Sequence, residues 1–112
     1  MSNYQPDMWA IVQFKRPDQE PTFKVFGSWY GGYLGSDSWR LSSGVISIVN
    51  NKKYYEIHNE SGSVYVCGYT NYGMSGYSSG VYFNIKSDLD GICELKMLSI
   101  EEVINLIETK VL

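Results

Sequence analysis

Apolar and polar residues alternate with a period of two from Met8 to about Leu98, and this alternation most narrows what the 112-residue chain can become. Successive side chains on a strand point to opposite faces. Trp9, Ile11 and Gln13 therefore share one face of a first strand, and Ala10, Val12 and Phe14 share the other. Arg16-Pro17-Asp18 and Pro21 break this run, because proline fixes φ and lacks a backbone donor. Further strands are expected over 22–29, 44–49, 53–58, 63–69, 81–85 and 92–98. Asn50-Asn51, Asn59-Glu60-Ser61-Gly62 and Asp88-Leu89-Asp90-Gly91 supply turns between them. Turns this close together predict an antiparallel meander of about six or seven strands, barrel-like or curled into a strongly bent sheet. No segment between strands is long enough for a parallel crossover helix.

Only the tail reads as helical, over about 100–110. Ser99-Ile100-Glu101-Glu102 is a capping box, and Leu98 can staple against Val103. Ile100, Val103, Ile104, Ile107 and Val111 recur at helical spacing and form one apolar face. That face can lie on the sheet, cover a barrel mouth or meet a partner chain. With 44% hydrophobic and 19% charged residues the chain can bury a core, so a single mainly β (α+β) domain over residues 1–112 is expected.

Aromatic residues make up 15% of the chain, ten of them Tyr and three Trp, which is more than a core of this size can hide. They concentrate in two glycine-rich segments. One runs from Gly27-Ser28-Trp29-Tyr30-Gly31-Gly32-Tyr33 to Trp39-Arg40-Leu41-Ser42-Ser43-Gly44-Val45. The other runs from Gly68-Tyr69-Thr70-Asn71-Tyr72-Gly73 to Gly76-Tyr77-Ser78-Ser79-Gly80-Val81. Each ends in Ser-Ser-Gly-Val leading into an expected strand, which is either pseudo-symmetry within one domain or a coincidence of abundant Ser, Gly and Tyr. Flat rings beside flexible glycines and small hydroxyls make adaptable contact surfaces. A binding site is therefore expected from Trp29, Tyr30, Tyr33, Trp39, Tyr69, Tyr72 and Tyr77. Arg40 would pair with a phosphate or carboxylate, and Ser42, Ser43, Ser78 and Ser79 would donate hydrogen bonds. The same rings could instead plug corners of the fold or form an oligomer seam.

Catalytic patterns are weaker. His58 is the single histidine and shares a strand face with Tyr54 and Glu56, while Cys67 on the neighbouring strand could face it across the hairpin. A small nuclease or phosphodiesterase using His58, Glu56, Arg40 and a tyrosine is the enzymatic alternative. One His and two separated Cys do not match a zinc site, and no carboxylate cluster resembles a calcium loop, so no metal and no cofactor are expected. The glycines of 27–35 are followed by neither Lys-Ser/Thr nor a helix, so they are not a P-loop. Nine basic against twelve acidic residues, a net charge of −3, argue against bulk nucleic-acid binding. Cys67 and Cys93 lie among apolar residues and read as buried free thiols of a reducing cytoplasm. Residues 1–7 lack the pattern of a signal peptide, and no apolar run reaches membrane-spanning length.

Trp29-Tyr30-Gly31-Gly32-Tyr33-Leu34-Gly35, Trp39-Arg40-Leu41-Ser42-Ser43-Gly44, Ser61-Gly62-Ser63-Val64-Tyr65 and Tyr72-Gly73 together resemble small early proteins of T4-like bacteriophages. The resemblance implies a non-enzymatic protein of the host cytoplasm that inhibits host defence. Together with the aromatic segments it leads to an expected function, sequestration of a nucleotide-like signal molecule. A protein–protein inhibitor of a host defence enzyme or nucleic-acid-binding protein is the alternative.

Overall fold

The computed structural model describes residues 3–32 and 35–109 of the chain. Its elements in order are β1 (Asn3–Tyr4), β2 (Met8–Lys15), β3 (Thr22–Trp29), β4 (Ser38–Leu41), β5 (Val45–Asn50), β6 (Tyr54–Asn59), β7 (Val64–Gly68), α1 (Gly76–Asp88), β8 (Glu94–Met97) and α2 (Ile100–Thr109). The strands form two four-stranded sheets, ordered β1-β7-β6-β5 and β4-β3-β2-β8. All pairings within them are antiparallel except β1 with β7, where Asn3 and Tyr4 lie opposite Val64 and Tyr65.

Alternation along each strand decides where the core lies. The inward residues Trp9, Ile11 and Val25 of one sheet meet Val45, Tyr55, Ile57, Tyr65 and Cys67 of the other, and Leu98 and Val103 join them at the start of α2. Val12, Phe26 and Leu95 point to the opposite face of β4-β3-β2-β8, where Tyr82 of α1 and Cys93 cover them. Burying one such side chain contributes about 1.5–3 kcal/mol, so both layers bear on stability. The first segment crosses between sheets over Gly27, where an added Cβ would stand 3.1 Å from the Pro6 side chain.

Several expectations change. The chain forms two sheets with one parallel pairing, neither a single antiparallel meander nor, among the described residues, a closed barrel. Residues 81–85 are not a strand but the middle of α1, so the stretch before β8 does hold a helix. Its start is set by Ser75, whose side chain accepts from the Ser78 amide while the Ser78 hydroxyl accepts from the Ser75 amide. Val81, Tyr82, Ile85 and Leu89 then fall at helical spacing on the second apolar layer. Over five residues that spacing cannot be told from strand alternation. The two Ser-Ser-Gly-Val segments are consequently not equivalent: the first leads into β5, and the second is helical. The tail helix begins as expected, with Ser99 and Glu102 completing the capping box, and Leu98 and Val103 buried in one cluster. Val111 lies outside the described residues.

Cys67 does not face His58. It lies opposite Tyr55 on the inner face, whereas His58 pairs with Val64 on the outer one. The two cysteines are free and sit in different layers, Cys67 between the sheets and Cys93 beneath α1, with β4-β3-β2-β8 between the layers. Burial pushes the Cys67 thiol up, away from the reactive thiolate. A thiol reagent at neutral pH should leave Cys67 unlabelled in the folded protein and label it in urea, as peptide mass mapping would show. Trp9 is fully buried and central to the first layer, so Trp9→Ala should cost about 3–5 kcal/mol in urea denaturation. A loss below about 1 kcal/mol would contradict that placement.

Candidate functional site

The link between β4 and β5 carries the chain from one sheet to the other, and a short set of hydrogen bonds holds it. The Ser42 amide donates to the Val25 carbonyl at 2.9 Å, and the Val25 amide donates to the Ser42 hydroxyl at 2.8 Å. That hydroxyl in turn donates to the Ser43 carbonyl at 2.7 Å, so Ser42 continues the edge of β3 with its hydroxyl already occupied. The β6–β7 turn comes to meet this link. Gly62 sits at φ 91°, where a side chain would be strained, and its amide donates to the Asn59 carbonyl at 2.9 Å. The buried Asn59 amide group donates to the carbonyls of Ile57 and Ser63 and fixes the turn from inside. Glu60 then donates through its amide to Gly44, and Ser61 through its amide to the Ser43 hydroxyl. The Ser43 hydroxyl donates to Ser61, and the Ser61 and Ser63 hydroxyls are bonded to each other at 3.1 Å.

Beside this lacing lies a recess of about 260 Å³, lined by Tyr4, Arg40, Ser43, Ser61, Ser63 and Tyr65 among others. Arg40, exposed on the edge strand β4, lays its guanidinium over the Tyr4 ring, 4.6 Å from the centroid. It forms no ion pair among the described residues. Tyr4 and Tyr65 are register partners, with ring centroids 4.9 Å apart, and Trp29 meets Tyr4 edge-on at 6.4 Å.

Tyr65 is wholly buried, and its hydroxyl has no hydrogen-bond partner among the described residues. Burial pushes its pKa up to about 12. The nearby Arg40 guanidinium pulls the other way without forming a hydrogen bond of ordinary geometry. The phenol therefore keeps its proton and remains a donor. Leaving such a group unpaired costs about 1–3 kcal/mol, which an incoming acceptor would relieve.

The structure brings Arg40, Ser42 and Ser43 together, with Trp29 one ring away. It does not gather the other expected residues there. Trp39 lies on the opposite face, stacked on Phe26 at 5.5 Å and 7°. Tyr30 is exposed, with its hydroxyl on the Met8 sulfur, and Tyr33 lies outside the described residues. Tyr69 stands edge-on to Tyr55 and hydrogen-bonds Asn50, and Tyr77 is exposed in the first turn of α1. Tyr72 belongs to the core: its hydroxyl donates to the Leu98 carbonyl at 2.6 Å and accepts from the Ile11 amide at 3.0 Å. Ser78 is buried in the α1 capping box, and Ser79 donates to the Gly76 carbonyl within the same helix.

Tyr4, Ser61, Ser63 and Tyr65 are the members that sequence reasoning missed. The alternation that turns Cys67 inward also turns Tyr65 inward, a usable signal, whereas nothing local marks Tyr4. Glu56 and His58 approach to 3.7 Å on the outer face of β6, and neither lines the recess. Among the described residues no helix is long and apolar enough to cross a membrane. Comparison with protein-family models, curated proteins and solved structures gave no match.

Burial also holds the Tyr72 hydroxyl up to about 12, against the pull of its bond from Ile11. Both values lie above the unfolded one of 10.0, so the stabilisation is complete below pH 10 and is lost as pH rises through 12. Circular dichroism of urea melts should give a midpoint that falls steeply above pH 10. A midpoint unchanged between pH 10 and 12 would contradict the buried, protonated phenols.

Proposed function

We propose that this is a non-enzymatic binding protein that captures a small anionic, nucleotide-like ligand in the Arg40 recess. The observation carrying this reading is Arg40 itself, a cation held against the Tyr4 ring, with no carboxylate partner among the described residues and with serine hydroxyls beside it. A guanidinium in that setting favours a phosphate or carboxylate, since bonds to charged acceptors are roughly twice as strong as neutral ones. The lining of the recess offers no imidazole, carboxylate, amine or thiol to act as a general base, which supports capture over turnover. The Trp29 and Tyr4 rings give a planar ligand an apolar surface next to the charge.

The resemblance of 27–73 to small early phage proteins is what suggests a setting in host defence for this capture. On that reading a phage-encoded protein in the host cytoplasm removes a nucleotide-like signal from circulation. Isothermal titration against a panel of cyclic and ADP-ribose-derived nucleotides, with AMP included, tests the reading. At least one member should bind, and Arg40→Ala should weaken it by about 10-fold or more, the value of one charge-assisted bond. Absence of heat from every member, with the fold intact by circular dichroism, would overturn it.

A further inference from the structure

The donors of the recess differ in depth, and the deepest one restricts which end of a ligand enters. Resting on the reading of the recess as a capture site, we infer that the Tyr65 hydroxyl donates to a terminal phosphoryl group, so that the recess takes a phosphate monoester end-first in preference to a diester. Tyr65 has no exposed surface, and its hydroxyl has no hydrogen-bond partner of ordinary geometry among the described residues. The neighbouring Arg40 guanidinium lies within reach of that hydroxyl and is a donor only, so a group that both can bind must be an acceptor. A third donor comes from the β6–β7 turn. Ser43 gives its proton to Ser61, and Ser61 and Ser63 share one bond, so one hydroxyl proton of that pair is left over whichever way the bond points.

Residues carrying donors from β4, from β7 and from the turn thus line one recess, and no carboxylate does. A terminal phosphoryl group has three free oxygens to meet them, whereas a diester has two and carries a substituent on each side. The Tyr65 hydroxyl has no accessible surface while Arg40 is exposed, so the Arg40 side chain must give way before an acceptor reaches it, and the end of a molecule needs a smaller opening than the middle of a chain. Charge agrees with shape. A monoester gains its second negative charge near pH 6, so it binds a lone cation more tightly above that pH, while a diester gains nothing there.

Titration of the full chain with AMP, cyclic AMP and inorganic phosphate tests the inference, using wild type, Tyr65→Phe and Arg40→Ala. AMP should bind at least about 10-fold more tightly than cyclic AMP at pH 7.5, and its affinity should fall as pH drops from 7.5 to 5. Inorganic phosphate should compete with AMP, since it carries the same oxygens without the nucleoside. Tyr65→Phe should weaken AMP about 10-fold while leaving the thermal midpoint of the free protein unchanged or raised, because the hydroxyl it removes has no partner to lose. A merely structural role for the hydroxyl would lower that midpoint instead. Equal affinities of AMP and cyclic AMP, or full AMP affinity in Tyr65→Phe, would overturn the inference. If Arg40→Ala still abolished binding in that case, the capture reading would stand. Phosphate binding without AMP binding would reduce the recess to a free-anion site and also overturn it. Silence of all three probes with wild-type protein would overturn the inference, and the capture reading too if the wider nucleotide panel were equally silent.

Discussion

Everything else in the molecule is arranged around Trp9. Its ring is fully buried between the sheets, edge-on to Tyr72 at 4.7 Å and tilted against Tyr55 at 5.7 Å. Its indole N–H donates 2.8 Å to the Gly68 carbonyl at the end of β7, and its backbone pairs with the segment around Tyr72. One residue of β2 therefore bonds to the other sheet through its side chain and to the segment that follows β7 through its main chain. A large ring with a single polar atom suits this place, because the area it buries is apolar and its one donor is satisfied. The spacing it sets lets Tyr72 span the core to the Leu98 carbonyl, and that contact positions the start of α2.

The recess lies where the two sheets meet along the β4–β5 link. Its walls are not one continuous segment but three: an edge strand, a turn and the first strand pair. Holding them in register falls to Ser42 and Asn59, which are buried and hydrogen-bonded to the backbone, while Ser43 and Ser61 join the link to the turn. Residues that build the recess are thus separable from those positioned to touch a ligand. Ser42 has spent its hydroxyl on structure, whereas among the described residues the Tyr65 hydroxyl has no hydrogen-bond partner of ordinary geometry and Arg40 no ion pair.

How much could be read beforehand follows from the range of each interaction. The strand over 22–29 and the helix from Ile100 were legible because alternation, prolines and a capping box act within a few residues. The helix α1 was not, because Val81 to Ile85 satisfies both periods and the deciding contact is with Phe26 and Leu95, distant in sequence. Arg40, Ser42 and Ser43 stood out as a charge and hydroxyls within a glycine-rich stretch. Tyr4 and Tyr65 did not, since they meet only through the parallel β1–β7 pairing, which no local pattern encodes. Tyr72 looked like a contact residue by composition, yet its hydroxyl is committed to the Ile11 and Leu98 backbones.

The central claim is that the donors of Arg40 and Tyr65 face one small anionic group. A crystal structure of the protein grown with AMP tests it most directly. A phosphoryl group is expected between the β4 edge and the β6–β7 turn, with one oxygen within hydrogen-bond distance of the Tyr65 hydroxyl and another on the Arg40 guanidinium. Nucleotide bound instead on the exposed rings of Trp39, Tyr69 or Tyr77, with the recess free of it, would contradict the account.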